Sequence, residues 1–474
     1  MHIKQLKLVN FRRFGGLTIP FFNDESPTEN INTVVFIGDN GAGKTAILNA
    51  LAMSLSWLIA RINREKGNGS SITDMDILNG EITASIELQL ECNQLPYRWR
   101  LVKTLKGHSP VQAINKISKN EFIVIAAISS TTETTQLASI FREQLTINEN
   151  ASLPLIAYYP VERAVLDIPL KIKTRHNFGQ LDAYDNSLKQ GVDFRRFFEW
   201  FRDREDAENE MRSKQLEQKF TDLYSQYQTG SISMDEATKA YFSQLNNATF
   251  YDYQLVAVRT AIKSFMPDFD NLRIQRKPRL QMLVDKDIGE IIDTLDVTQL
   301  SQGEKSLMAL VGDIARRLAI LNPALENPLE GEGIVLIDEV DMHLHPKWQR
   351  IIISRLNTTF PNCQFILTTH SPIVISEIPN LLCYSLNDGK LEKLSNLYGM
   401  DVNQVLLQDM NAEIRNADIQ DAFDNLRDTL QDGNLDEAKE LLVALEQKIS
   451  KDHIELSKAR LLIRRLEIQN AKNH

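Results

Sequence analysis

The chain has 474 residues, 43% of them hydrophobic and 24% charged, with a net charge of −10. That length buries a sizeable core in two or three structural units, and the composition excludes a disordered chain. The acidic balance excludes a protein that binds nucleic acid over its whole surface, so any such contact needs a local basic patch. Cys92, Cys363 and Cys383 lie far apart without C-x-x-C spacing and read as reduced core thiols of a cytosolic protein.

In chain order, the start alternates polar and apolar residues like a strand and carries no secretory apolar stretch. Residues 1–22 and 31–37 read as strands, and a helix is predicted from about Lys44 to Arg64. Ile47–Ile59 is the most lipid-like segment. It is shorter than a spanning helix and reads as a buried helix, so no membrane span is expected. Residues 81–106 predict a hairpin around a Pro-containing turn, and 122–128 and 153–158 two short strands. From Phe194 to about Met266 the pattern is helical and highly charged. Strands return over 272–300, followed by a helix, a strand at 333–338 and another at 364–368. Beyond Asp401 the chain turns helical, with a turn at Asp432-Gly433-Asn434, and its last 40 residues predict a pair of amphipathic helices.

Three motifs carry chemistry. Gly38-Asp-Asn-Gly-Ala-Gly-Lys-Thr45 is a G-x-x-x-x-G-K-T phosphate loop set between an apolar strand and an apolar helix. Gly38, Asn40, Gly41 and Gly43 leave room for backbone N–H groups to wrap the phosphates of ATP. Lys44 adds positive charge there, and the Thr45 hydroxyl is a ligand for Mg²⁺. Ile334–Glu339 is an apolar strand ending in two carboxylates, with Asp338 placed for the magnesium and Glu339 for polarising a water. Ser301-Gln302-Gly303-Glu304 predicts a capping box, and a capped helix start with a glycine is also a site for anions. Which anion, the capping box does not say. A lone histidine such as His370, just past a buried strand, is commonly a core residue. His343 and His345 lack a third ligand and do not read as a metal pair. The basic run Arg273, Arg276, Lys277 and Arg279 has no interleaved aromatics and reads as a solvated face.

A phosphate loop, a downstream Leu-Ser-Gln-Gly-Glu run and an Ile-Val-Leu-Ile-Asp-Glu strand together resemble the ABC-type ATPases. The Val-Asp-Met-His-Leu-His-Pro and Thr-Thr-His-Ser-Pro runs are similar to the SMC/RecF/OLD-like class rather than to transporter motors. The Phe-Phe-Glu-Trp-Phe-Arg and Tyr-Tyr-Pro-Val-Glu-Arg runs narrow the resemblance to the ATPase subunits of Septu-type anti-phage systems. The resemblance implies an α/β fold: an ABC-ATPase head with a mixed, largely parallel sheet and an antiparallel β lobe, a short helical arm and a helical C-terminal region. The divisions expected are 1–193 and 267–400 for the two parts of the head, 194–266 for the arm and 401–474 for the tail.

It also implies that two heads close on two ATP·Mg²⁺. Ser301, Gln302 and Gly303 of one copy would face the γ-phosphate held by the other, and Asp341 would touch the opposite head. His370 would be the switch histidine and Arg12 an arginine that reaches the phosphates. Tyr158–Arg163 occupies the approximate place of the glutamine loop without a glutamine. The partners implied are a second copy and a separate HNH nuclease subunit, with nucleic acid reached through that complex. After His370 the chain has no Asp-x-Asp, so it is not expected to cut nucleic acid itself. The tail is either a docking and assembly surface or a helical pair packed on its own head. A DNA-repair or clamp ATPase without a nuclease partner is the rival reading. A transporter motor and an intrinsic nuclease stand further off.

Overall fold

The structure is a computed structural model that describes residues 1–22, 31–108, 128–161, 179–189, 194–246, 251–379, 381–394, 397–400, 417–449 and 453–473. The chain divides into two compact units, Met1–Met400 and Asp401–His474.

In the first unit, β3 (Thr33–Ile37), β10 (Gly333–Ile337) and β11 (Cys363–Thr368) are buried at every position. Unbroken apolar runs of this kind belong to parallel strands covered on both faces. They form the centre of a six-stranded sheet with β6 (Leu155–Tyr159), β12 (Leu382–Asn387) and β13 (Lys390–Leu394), in the order β13-β12-β3-β11-β10-β6. Only β13 runs antiparallel to its neighbour. The register sets Phe36 opposite Thr368 and Ile337 opposite Leu367, so the chain leaves β3, β10 and β11 along one edge. In open α/β sheets that carboxyl edge is where ligands bind.

Helix α1 (Lys44–Asn63) follows β3. It is long and apolar enough by composition to cross a membrane, yet Leu48, Leu51, Leu55 and Leu58 are fully buried in the head. A four-stranded antiparallel sheet, β2-β1-β4-β5, flanks it: β1 (His2–Phe11), β2 (Phe14–Pro20), β4 (Thr83–Cys92) and β5 (Leu95–Thr104). The hairpin differs from expectation in its turn. Asn93 and Gln94, at φ 51° and 64°, make it, and Pro96 sits inside β5 opposite Glu91. Positive φ at both central residues matches the right-handed twist of the flanking strands. Helix α2 (Thr132–Ile147) was not expected; it buries Leu137, Ala138 and Phe141. The strand expected at 122–128 falls, but for Ile128, outside the described residues.

The helical segment resolves into α3 (Phe194–Gln228), α4 (Met234–Asn246) and α5 (Tyr253–Phe265). Both of its roots are part of the head: Phe197, Phe198, Trp200 and Phe201 are fully buried, as are Val258, Ala261 and Phe265. Beyond Glu208, the described residues of α3 are almost all exposed or half-buried. A second antiparallel sheet, β7 (Phe269–Gln275), β8 (Gln281–Asp287) and β9 (Ile292–Asp296), leads to α6 (Gln302–Leu321).

Helix α6 is buried from Ser306 to Leu321 and contains Asp313, whose carboxylate takes Nη2 of Arg316 at 2.6 Å, Nε of Arg317 at 2.7 Å and the Tyr159 hydroxyl at 3.0 Å. Burial alone would raise the Asp313 pKa, but Arg317 and Arg316 outweigh it and hold the carboxyl at about 2. Helices α7 (Pro346–Thr359) and α8 (Pro372–Ser376) complete the described helices of this unit. All three cysteines are buried, and none is in a disulfide.

The second unit contains three described helices, α9 (Ala417–Gln431) before the expected turn, and α10 (Leu435–Lys448) and α11 (Ile454–Asn473) as the pair expected in the last 40 residues. They share a core that includes Phe423, Leu426, Leu442, Leu445, Leu456 and Ile463. Gly433, at φ 76°, supplies the left-handed residue of the turn between α9 and α10.

Candidate active site

The phosphate loop lies between β3 and α1, on the carboxyl edge of the sheet. Gly38 leaves β3 at φ 141°, and a Cβ there would lie 2.3 Å from the Leu386 carbonyl oxygen of β12. The loop is therefore pressed against the neighbouring strand. Gly38→Ala is expected to cost about 3 kcal/mol, since positive φ and backbone contact both oppose a side chain. A thermal or urea unfolding curve checks this, and an unchanged midpoint would refute the tight packing. Gly41 and Gly43 are also at positive φ, while Asn40 stands exposed at the loop's tip.

Lys44 is buried, and its ammonium donates to the Gly38 carbonyl at 2.7 Å and to the Asp39 carbonyl at 3.0 Å. Burial lowers its pKa, and Asp338, Glu339, Asp39 and Asp341 work against that fall. A cation resting on two loop carbonyls in a field of carboxylates is suited to turn toward a polyphosphate.

Thr45, the next residue, donates its hydroxyl to Oδ2 of Asp338 at 2.8 Å. Oδ1 of the same carboxylate accepts from the Thr368 hydroxyl at 2.5 Å. Asp338, only 1% exposed, thus joins the ends of β10 and β11 to the phosphate loop. A carboxylate accepting from a hydroxyl beside a phosphate cradle is a hard-oxygen set of the kind magnesium takes. The residues present fit Mg²⁺·ATP.

Glu339 adopts a left-handed φ of 45°. Its N–H donates to the Thr368 hydroxyl at 2.7 Å, and its carboxylate lies 3.9 Å from Nε2 of His370. Both side chains are about one-third exposed, at 34% and 32%, so a water can reach them. Asp341 accepts from the Thr369 hydroxyl. The run Thr368-Thr369-His370 therefore touches all three acids, and the two threonines are site residues that sequence reasoning missed.

Arg12, at φ 53°, donates Nε to Asp76 at 2.9 Å, and its backbone N–H bonds the Asp76 carbonyl at 2.6 Å. Asp76 is a further residue the sequence concealed. Tyr158, near the end of β6 and the first residue of the run noted in the approximate place of the glutamine loop, has its pKa raised, first by burial and then by Asp338, while Arg12 lowers it. Tyr158 is within electrostatic reach of both.

Ser301 caps α6 as expected. Its hydroxyl accepts the Glu304 N–H at 3.3 Å, and its own N–H donates to Oε2 of Glu304 at 2.9 Å. Burial would raise Glu304, but Lys286 and the Ser301 hydrogen bonds outweigh it and keep the carboxyl below its usual range. Ser301 and Gln302 are exposed, and the Ser301 hydroxyl bonds only Glu304 among the described residues. A Cβ on Gly303 would lie 2.7 Å from the His343 carbonyl oxygen, so the tip of α6 sits on the turn that carries Asp341. His345 caps α7 through Nδ1, which accepts the Lys347 N–H at 3.3 Å. In the basic run, Arg273 pairs with Asp285 at 2.9 Å and Arg276 with Glu205 at 3.0 Å, which reduces the charge available to a phosphate backbone.

The family described as "AAA domain" matches residues 5–228, and that described as "AAA domain, putative AbiEii toxin, Type IV TA system" matches residues 140–376. The "Retron Ec83 probable ATPase" of Escherichia coli is 34% identical over 423 residues, which is 82% of this chain and 72% of that protein. The "Retron Vc95 probable ATPase" of Vibrio cholerae serotype O1 biovar El Tor is 34% identical over 430 residues, 86% of this chain and 78% of that one. The "Septu protein PtuA" of Bacillus mycoides (strain KBAB4) is 36% identical over 135 residues, 28% of this chain and 17% of that protein. Among solved structures, an Smc head bound to the C-terminal winged-helix domain of ScpA is similar at a TM-score of 0.41 and 15% identity, covering 83% of this chain and 98% of that one. The chain belongs to the AAA-domain ATPases, in the family of these retron ATPases.

Proposed function

We propose that the protein is the ATP-hydrolysing regulatory subunit of a cytoplasmic anti-phage defence complex, in which paired heads control an associated HNH nuclease. The observation that carries the reading is the convergence of Lys44, Thr45, Asp338, Glu339 and His370 on one sheet edge, while Ser301 stands exposed at the tip of α6. Lys44 and the loop amides hold the phosphates, and Thr45 and Asp338 hold the magnesium. Bound Mg²⁺·ATP supplies the electrophilic phosphorus and a metal that balances its charge. Glu339 accepts the proton of the attacking water. His370 and Arg12 steady charge as it builds, with Arg12 kept in place by Asp76. Ser301, Gln302 and the Gly303 amide of a second copy close the cradle, and Asp341 meets the opposite head.

The nuclease partner rests on the kinship with Septu and retron proteins, and on a chain without the Asp-x-Asp pair of a Toprim-type nuclease after His370. The tagged protein, purified from its native host and analysed by mass spectrometry, is expected to bring down an HNH protein whose cutting changes with ATP. An eluate that holds no nuclease, together with DNA-stimulated ATP turnover by the protein alone, would replace this reading with a DNA clamp.

A further inference from the structure

Lys286 lies on β8, outside every motif. Its ammonium donates to Oε1 of Glu304 at 2.7 Å and sits 5.2 Å above the ring of Phe269. The other oxygen of Glu304 holds the Ser301 N–H, and the Glu304 N–H meets the Ser301 hydroxyl. One carboxylate is therefore shared between the β7-β8-β9 sheet and the serine. A capping box is complete without a lysine. What the lysine adds is a charge-assisted bond that fixes where the carboxylate, and with it the serine, stands.

The same sheet is fastened at its far side to the base of α3. The Ile274 N–H of β7 and Nη1 of Arg276, the residue just past that strand, bond Glu205 at 3.2 and 3.0 Å. Arg259 of α5 bonds Glu205 and Glu208 at 3.2 Å each, and the Leu272 carbonyl of β7 at 3.1 Å. Glu205 and Glu208 are only 6% and 4% exposed. Buried carboxylates held by two arginines and a backbone N–H do not slide past their partners. A tilt of α3 must carry β7 with it, and β8 follows through the ladder that sets Phe269 opposite Lys286.

We propose that Lys286 is a positioning residue for Ser301, the inner end of a polar connection that runs from the base of the helical arm through Glu205, Arg276 and the β7-β8-β9 sheet. The inference rests on the reading that Ser301 completes a nucleotide site on a second copy. Lys286 itself touches no nucleotide in that arrangement.

The test is steady-state ATP hydrolysis by the full chain, with a thermal midpoint for each variant. Lys286→Met keeps the stem over Phe269 and removes the charge. It should lower kcat about tenfold with KM for ATP changed less than about twofold, because the phosphate loop is untouched. Lys286→Arg should restore at least half of the lost rate. Arg276→Ala, which removes one of the ties between the β7 region and α3, should lower kcat about threefold with KM unchanged. If Lys286→Met hydrolyses ATP normally while Ser301→Ala does not, the role of Lys286 is overturned and the shared site stands. If Ser301→Ala is also normal, the shared site itself falls. A Lys286→Met loss that matches only a lowered midpoint, and that Lys286→Arg does not reverse, makes the lysine a stabilising residue and ends the proposal. Normal turnover in Arg276→Ala removes that arginine from the connection.

Discussion

Glu339→Gln is expected to bind ATP as tightly as the natural protein and to turn it over about 10³-fold more slowly. The amide has the size of the carboxylate but cannot accept a proton from water. The local backbone should survive the change, because φ 45° at this position is held by the Thr368 hydroxyl on the Glu339 N–H, not by the side chain. The phosphate loop and Asp338 are also untouched, so affinity for nucleotide is retained while the closed pair of heads accumulates. Nucleotide binding, phosphate release and size-exclusion chromatography with ATP check the three parts of this expectation. His370→Ala should give a smaller loss, about tenfold, because a residue 3.9 Å from Glu339 helps orient the base without being it. Wild-type turnover by Glu339→Gln would move the base elsewhere.

The parts of this site legible in the sequence are those that local chemistry dictates. Five consecutive buried residues in β3 and in β10, each ending in a polar run, announce parallel strands with functional tips. The phosphate loop needs glycines in order, and the capping box needs a serine and a glutamate three apart. Parallel pairing then places these tips side by side, and no local pattern encodes that register. Thr368 was legible only as a strand residue, since its role depends on the pairing that sets it beside Asp338. Asp76 was hidden more thoroughly. It lies in a three-residue 3₁₀ turn within a polar stretch, and its partner Arg12 is in the β1–β2 turn, 64 positions away. The α2 helix was missed because its threonine-rich start resembles a loop, and burial of Leu137 and Phe141 overrides that preference. The hairpin turn was placed on Pro96 because Asn93-Gln94 lacks the glycine that makes such turns recognisable.

The proposed reciprocity of two heads predicts a result that no single variant can give. Lys44→Ala removes the ammonium that rests on the Gly38 and Asp39 carbonyls, and should abolish hydrolysis. Ser301→Arg puts a long cation at an exposed helix tip, where it leaves the fold intact but blocks the anion site. Each variant alone should be nearly inactive, because every pair of copies then lacks either both cradles or both closing tips. When the two are mixed, a mixed pair contains one site built from the intact Lys44 of the serine variant and the intact Ser301 of the lysine variant. Random pairing makes half the pairs mixed and half their sites sound, so about a quarter of the natural activity should return. Had each chain closed its own site, mixing would restore nothing, since no polypeptide in the mixture would have both residues. The outcome therefore separates a shared site from a self-contained one by the presence of activity. Folding can be checked independently by the thermal midpoint of each variant before mixing.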